Sequence, residues 1–215
     1  MDVTTAIVNY QTPDLLIKAY ESFRSFYPDQ KVILLDNGSS DDSVDVIMKL
    51  IAENPDLTKG IVLTENIYHG PAMDTILREY IDTKYTFFLD SDTETKKSGF
   101  LEEMIGFMEN DDDLYGIGHV IRINKRGFKD SNGDPVLVTP YMLIRSEAYL
   151  DFPPFIHHGQ PTIQNFKAAR DQGYHIQNYN IEDYIFHKWR GTADRFGYGL
   201  GIKGKIDYLL NKLGI

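Results

Sequence analysis

Short apolar runs alternate with longer amphipathic segments along the first half of the chain. The runs are rich in branched and aromatic residues, whereas the segments between them repeat apolar residues every three or four positions. The predicted strands are VTTAIVNY (3–10), KVILLD (31–36), GIVLTEN (60–66) and YTFFLD (85–90). The predicted helices span 12–28, 39–55, 70–81 and 98–110. This alternation predicts an α/β fold in which helices cover both faces of a parallel sheet.

The second half of the chain has a less regular pattern. Its predicted elements are strands at 116–123 and 139–150 that extend the sheet, a helix at 162–174, and an extended stretch at 178–189. Glycines become frequent beyond Gly191, and apolar residues then recur at helical spacing. We therefore expect one domain over residues 1–193, and at 194–215 a flexible glycine-rich segment with an amphipathic helix.

The composition excludes several classes of protein. The net charge of −10 argues against nucleic-acid binding, and the lack of cysteine excludes disulfides and thiolate metal sites. No apolar run is long enough to span a membrane and the start lacks the pattern of a signal peptide, so a cytoplasmic location is expected. The stretch from Lys188 onward is basic instead, which suits an anionic ligand, the acidic body of the chain, or the inner face of a membrane.

Polar side chains stand at or just after the end of each of the four predicted strands of the first half. They are Asn9 and Tyr10, Asp36 and Asn37, Glu65 and Asn66, and Asp90 and Asp92. A single aspartate after a strand is usually a turn or cap residue. Polar groups at four strand ends together favour a binding site, because ligands of open α/β sheets bind outside the carboxyl ends of the strands.

Asp90 and Asp92 are separated by one residue and point to the same side if the chain stays extended. Two neighbouring carboxylates either share a proton or hold a cation, and hard oxygen ligands select Mg²⁺ or Mn²⁺. Because Mg²⁺ typically keeps substrate phosphates among its ligands, the pair indicates a metal-bound diphosphate. The alternative is a hydrophilic turn before the helix near Ser98. No glycine-rich phosphate loop follows the first strand, which argues against a nucleotide triphosphatase or a Rossmann dehydrogenase.

Six sequence blocks resemble those of family 2 glycosyltransferases in order and spacing. They are TAIVNYQTPDLLIKAYESF, VILLDNGSSDDSVDVI, ENIYHGPAMDTIL, YTFFLDSDTE, YMLIRSEAYLDFPPF and YIFHKWRGT. The resemblance covers about residues 3–193 and implies the GT-A fold, a single Rossmann-like domain with a mostly parallel, mixed central sheet flanked by helices. It also implies a nucleotide-binding half at 1–97, an acceptor-side half at 98–193, and transfer of a sugar from a nucleotide-diphosphate sugar to an acceptor hydroxyl.

The resemblance implies roles for residues on the donor side of such a site. Asn9 and Tyr10 would line the nucleoside pocket, and Asp36 would hydrogen-bond the base or the ribose. Lys188 and Arg190 would hold the diphosphate, in keeping with the basic tail.

The resemblance also implies a Mn²⁺ or Mg²⁺ site. Asp92 would ligate the metal, Asp90 would contact the ribose or the metal, and His187 would complete the ligand set. The block HGPAMD departs from the glycine-rich turn with Arg and Asn that many members have, and there His69 would face the diphosphate and Asp74 would reach the donor sugar.

The catalytic base is the second departure from the family pattern. Many members carry Glu-Asp before the last helix of the domain, whereas this chain has FIHHGQPT at that place. An inverting transfer needs a base to take the acceptor proton, and a histidine can do so near neutral pH. His158 or His157 is therefore the predicted base. The alternative is a retaining transfer that requires no base from the protein.

The sequence is compatible with three functions. The first is a metal-dependent glycosyltransferase of surface glycan or polysaccharide synthesis. It would use a UDP-sugar, or alternatively a GDP- or dTDP-sugar, and a glycan or lipid-linked acceptor, and its C-terminal helix would contact a membrane peripherally. The second is a nucleotide-sugar or glycan binding protein without the usual base, and the third is a sugar nucleotidyltransferase.

Overall fold

The computed structural model of the protein describes residues 1–124, 127–156 and 160–188. The predicted glycine-rich segment and helix at 194–215 lie outside these residues, as do the candidate site residues His157, His158 and Arg190.

A mixed sheet forms the centre of the fold. Within the described residues, seven strands lie in the order β10-β6-β9-β4-β1-β2-β3, and β9 is antiparallel to both of its neighbours while the other pairs are parallel. The strands are β1 Val3–Asn9, β2 Lys31–Asp36, β3 Thr58–Val62, β4 Tyr85–Asp90, β6 Leu114–Gly118, β9 Tyr141–Arg145 and β10 His175–Asn178. The predicted α/β class and mostly parallel sheet are confirmed. The carboxyl ends of the six co-directional strands meet at one edge.

Helices cover both faces of this sheet. They are α1 Pro13–Phe26, α2 Ser43–Glu53, α3 His69–Thr75 with a π-helical continuation at Ile76–Tyr80, α4 Phe100–Glu109, α5 Ser146–Tyr149 and α6 Ile163–Asp171. Along β1, Val3 and Ile7 enter the core under α1, α2 and α4, whereas Ala6 and Val8 enter the core under α3, α5 and α6. This period of two explains why the first four strands are almost continuously apolar.

Two strand predictions in the second half are wrong in part. The segment 139–150 is not one strand, because β9 ends at Arg145 and α5 begins at once. The Arg145 guanidinium donates to the carbonyls of Met108, Asp111 and Leu114, and the next turn carries Tyr149 into the second core. A strand of twelve residues would have carried these groups past the end of the sheet.

The predicted strand at 116–123 is divided as well. β6 ends at Gly118, and β7 Val120–Ile123 leaves the sheet to form a separate antiparallel ribbon with β8 Asp134–Leu137. The side chain of Asn178 accepts a hydrogen bond from the Val120 amide and so replaces the next bond of the β6–β10 ladder. The extended stretch at 178–189 contains a 3₁₀ turn at Ile181–Asp183 and a short strand, β11 Ile185–His187.

A cavity of about 280 Å³ lies between α6, β10 and the β7–β8 ribbon. Its lining is mainly apolar and contains none of the candidate site residues that the structure describes. Among the helices in the described ranges, none combines the length and apolar character needed to cross a membrane.

Candidate functional site

Asp36, at the end of β2, is a buried carboxylate held by two neighbours. Asn9 Nδ2 donates to its Oδ1 at 3.2 Å, and Ser39 donates to the same carboxylate through its hydroxyl (2.6 Å) and its amide (2.8 Å). The Asp36 side chain has no exposed surface. These three bonds use most of the acceptor capacity of the carboxylate and fix the loop that follows β2. Direct contact of Asp36 with a base or ribose stays a prediction.

Thr12 extends this network towards the Asp-x-Asp segment. Its hydroxyl lies 2.9 Å from Asn9 Oδ1 and 3.2 Å from the hydroxyl of Ser91, which separates Asp90 from Asp92. Thr12 directly precedes α1, but its hydroxyl makes no capping bond to the helix. A buried hydrogen-bond chain therefore joins the end of β2, the end of β1 and the Asp-x-Asp turn. Thr12 and Ser91 were missed as site residues because a threonine before Pro13 matches an ordinary helix start.

The Asn37 side chain connects the segments that follow β2 and β3. Asn37 Nδ2 donates to Asn66 Oδ1 at 3.2 Å, while Asn37 Oδ1 accepts from the Ile67 amide at 3.0 Å. Gly38 adopts φ +74°, and a Cβ there would lie 2.3 Å from the carbonyl carbon of Glu65. Only glycine fits this close approach, so Gly38 allows the loop after β2 to pack against the backbone of Glu65.

Strand pairing brings His187 to Asp92. β5 Thr93–Thr95 follows the Asp-x-Asp segment directly and pairs antiparallel with β11, with His187 opposite Thr93. The Lys188 amide donates to the Asp92 carbonyl at 3.0 Å. His187 Nε2 lies 2.9 Å from Asp92 Oδ1, and both side chains are less than a tenth exposed. Ligand atoms of Asp90, Asp92 and His187 all lie within 4.8 Å of one another.

Asp90 has a carboxyl group whose pKa is shifted by its surroundings. Burial raises the pKa of Asp90 above its ordinary value, the positive charge of His69 opposes the rise, and the neighbouring Asp92 adds to it. His69 Nε2 lies 3.6 Å from Asp90 Oδ1 and is buried without a hydrogen-bond partner in the described part of the chain. The ionised form of Asp90 is therefore disfavoured in the folded chain.

This donor set fits a hard divalent cation. Two carboxylates and one imidazole can ligate Mn²⁺ or Mg²⁺, leaving further positions for phosphate oxygens. A cation beside Asp90 and Asp92 would also offset the repulsion and burial that disfavour their ionised forms. The predicted neighbours Asp90, Asp92 and His187 are therefore brought together by the fold, and His69 lies beside them. Lys188 is exposed next to His187.

Asp74 belongs to a different cluster. It accepts a hydrogen bond from Arg78 Nε at 2.8 Å and another from the Tyr149 hydroxyl, whose oxygen in turn accepts from the Phe155 amide. Burial and the contact with Asp74 raise the pKa of Tyr149. Asp74 thus anchors the turn at 149–155. Its predicted contact with the donor sugar stays a prediction.

The described ends of the FIHHGQPT segment lie against the start of α3. The Ile156 amide donates to the Pro161 carbonyl at 3.1 Å. A Cβ on Gly70 would lie 1.7 Å from the Ile156 carbonyl oxygen and 2.8 Å from Pro161. Both ends therefore pack against Gly70, the residue that follows His69.

Comparison with known proteins assigns the chain to a family. The family model described as Glycosyl transferase family 2 matches residues 4–188. No curated protein sequence gives a significant match to the chain.

Solved structures share the fold at low sequence identity. The mannosyltransferase PcManGT from Pyrobaculum calidifontis, solved with GDP-Man and Mn²⁺, is 15% identical with a TM-score of 0.66, over 83% of this chain and 54% of that one. Residues 1–349 of TarS from S. aureus are 16% identical with a TM-score of 0.64, over 87% and 60%. The complex of the same TarS fragment with UDP-GlcNAc gives 17%, 0.59, 79% and 53%. The match covers little more than half the length of each of these solved chains.

Proposed function

Because the chain belongs to glycosyl transferase family 2, we propose that it moves a sugar from a nucleotide-diphosphate sugar to an acceptor hydroxyl with the help of Mn²⁺ or Mg²⁺. The observation that carries this proposal is the cluster of Asp90, Asp92 and His187, whose ligand atoms lie within 4.8 Å of one another. The cluster stands at the carboxyl edge of the sheet, where α/β proteins bind their ligands.

The donor would bind along that edge. Asn9, Tyr10 and Asp36 lie at the ends of β1 and β2 and would define the nucleoside end, with Asp90 and Asp92 at the diphosphate end. A UDP-sugar is our first choice of donor, and a GDP- or dTDP-sugar is the alternative. Similar folds have been solved with GDP-Man and Mn²⁺ and with UDP-GlcNAc, which supports this class of ligand.

The leaving nucleoside diphosphate is the group that needs stabilisation. Asp90, Asp92 and His187 would hold the cation, which supplies Lewis-acid stabilisation of the charge that develops on the diphosphate. His69 and the exposed Lys188 would add positive charge on the protein side, together with Arg190. The Asp36–Asn9–Thr12–Ser91 chain would keep the nucleoside and diphosphate ends in fixed register.

The acceptor hydroxyl would lose its proton to His158 or His157. The support is positional, because Ile156 and Pro161 pack on Gly70 next to His69. A retaining transfer without a protein base is the competing mechanism.

We propose a glycan or lipid-linked acceptor and a role in surface glycan or polysaccharide synthesis at the inner face of the membrane. The basic composition from Lys188 onward and the amphipathic pattern in 194–215 support this location. The domain would comprise residues 1–193, with the nucleotide-binding half at 1–97 and the acceptor-side half at 98–193.

A single assay tests the proposal. The protein is incubated with a panel of sugar nucleotides and Mn²⁺, and release of nucleoside diphosphate is followed with and without glycan acceptors. We expect release that Asp92→Ala abolishes and that Asp112→Ala, an exposed carboxylate between α4 and β6, leaves unchanged. Pyrophosphate release would favour a nucleotidyltransferase. Donor binding without turnover on any acceptor would favour a binding protein.

A further inference from the structure

Tyr68, the residue before α3, has a backbone conformation that side chains other than glycine rarely adopt. Its φ of 71° and ψ of 166° lie in a region populated almost only by glycine. Such strain persists only where the surroundings enforce it, and it concentrates at functional sites. A glycine at this position would adopt the same backbone without strain.

The surroundings of Tyr68 enforce this conformation from both sides. The Tyr68 amide donates to Asn66 Oδ1 at 2.8 Å, and Asn66 is itself held by Asn37. The Tyr68 carbonyl accepts the first helical bond of α3, from Ala72 at 3.2 Å. The chain therefore turns at Tyr68 in one fixed direction, whatever side chain it carries there.

The Tyr68 backbone lies beside the end of β2, because Asn66 Oδ1 accepts hydrogen bonds both from the Tyr68 amide and from Asn37, the residue after Asp36. β2 lies between β1 and β3 in the sheet, so Tyr10 after β1 and Tyr68 after β3 follow the two strands that flank the end of β2 at Asp36. Tyr68 is 53% exposed and so presents ring surface to a ligand.

We infer that the Tyr68 ring stacks on the base of the bound nucleotide. The inference rests on the proposed function, because it requires a nucleotide at this edge of the sheet. It accounts for a strained tyrosine at a position that glycine would satisfy. The base is the planar aromatic part of a nucleotide-sugar, and a tyrosine ring stacks on it whatever the base. Tyr68 would therefore contribute affinity for the nucleoside rather than for the sugar.

The test combines binding with thermal stability. Isothermal titration calorimetry with Mn²⁺ measures the affinity for UDP, GDP, dTDP and UDP-GlcNAc of the wild type, Tyr68→Phe, Tyr68→Ala and Tyr68→Gly. We expect Tyr68→Phe to bind within about threefold of the wild type, and Tyr68→Ala and Tyr68→Gly to bind about tenfold more weakly. Tyr68→Gly should melt about 2–4 °C above Tyr68→Ala, because glycine alone relieves the strain. Tyr80→Ala removes another exposed tyrosine and should change none of these affinities.

Several results would overturn the inference. If Tyr68→Gly bound nucleoside diphosphates with wild-type affinity, the ring would not contact the nucleotide, and the proposed function would be unaffected. A loss confined to UDP-sugars, with UDP unaffected, would assign the ring to the sugar instead of the base. A melting temperature of Tyr68→Gly below that of Tyr68→Ala would show that the backbone at position 68 is not strained. A wild type that binds none of the three diphosphates would contradict the proposed function itself.

Discussion

At the scale of single residues, the site depends on polar side chains whose partners are far away in sequence. Asn9, Asp36, Asp90 and Asp92 could be selected from the sequence because each follows an apolar strand. Thr12 could not, because its contact with Asn9 and Ser91 depends on how β1 and β4 lie side by side. Sequence patterns locate strand ends, but they do not assign the hydrogen bonds between them.

Thr12→Val provides the residue-scale test of the buried chain. Valine keeps the shape of threonine but leaves Asn9 Oδ1 and the Ser91 hydroxyl without this partner in a fully buried place. We expect the free energy of unfolding to fall by about 1–3 kcal/mol, measured by urea denaturation. Thr12→Ser should retain most of the stability. If Thr12→Asn, a good N-cap residue, restored wild-type stability as well as serine does, helix capping would explain the residue and the chain would not.

Asp90→Asn tests the electrostatics of the carboxylate pair. A raised pKa means that Asp90 contributes stability below the pKa of the unfolded chain and loses that contribution as pH rises through the folded value. In EDTA, the free energy of unfolding of Asp90→Asn should therefore increase relative to the wild type between pH 4 and pH 7. Denaturation at intervals across this range measures the difference, with Asp112→Asn as the exposed control. If the difference in free energy of unfolding between Asp90→Asn and the wild type stays constant or falls with pH, the pKa of Asp90 is not raised in the folded protein.

At the scale of elements, the β5–β11 ribbon sets the position of the histidine. The sequence predicted an extended stretch at 178–189 and, through the family resemblance, the metal role of His187. The three-residue partner strand directly after Asp92 was not predicted, since TET at 93–95 is too short for a periodic signal. The break of 139–150 into β9 and α5 was missed for a similar reason. Its apolar pattern continues through Arg145, and the three carbonyls that bind Arg145 come from other elements.

Phe186→Pro is the element-scale prediction. Phe186 lies opposite Glu94, between the ladder bonds made by the amides of Lys188 and Lys96, so its amide belongs to the ladder. Proline removes that amide and should separate β11 from β5, moving His187 away from Asp92. We expect affinity for Mn²⁺ to fall about tenfold or more in calorimetric titration. Phe186→Ala keeps the ladder and removes a half-exposed ring, so it should bind Mn²⁺ nearly as the wild type does. Equal loss in both variants would contradict the role of the pairing.

At the scale of the whole molecule, the first and second halves of the chain contribute strands to the same sheets. β9 of the second half pairs with β4 of the first half along five residues, and β11 returns to pair with β5. The alternating pattern was sufficient to predict the parallel first half, because each of its strands is followed by its own helix. The order of the remaining strands depends on long-range pairing that a local pattern does not encode.

Arg145→Met should therefore destabilise the molecule as one unit. Arg145 binds the segment between α4 and β6 from the end of β9, so its loss leaves three carbonyls without this donor. We expect the free energy of unfolding to fall by about 2–4 kcal/mol while a single transition is retained. Circular dichroism and tyrosine fluorescence during urea denaturation should give coincident midpoints for the wild type and the variant. Two separate transitions would show that the halves unfold independently.

The most direct test of the account is pulsed electron paramagnetic resonance of Mn²⁺ bound to the protein with UDP. We expect nitrogen modulation from one coordinated imidazole in the wild type, because His187 Nε2 lies 2.9 Å from Asp92 Oδ1 within the ligand cluster. This modulation should disappear in His187→Ala. It should persist in His175→Ala, because His175 is the first residue of β10 and lies beside Asp111, outside the ligand cluster. Absence of nitrogen coupling in the wild type, or its persistence in His187→Ala, would contradict the proposed metal site.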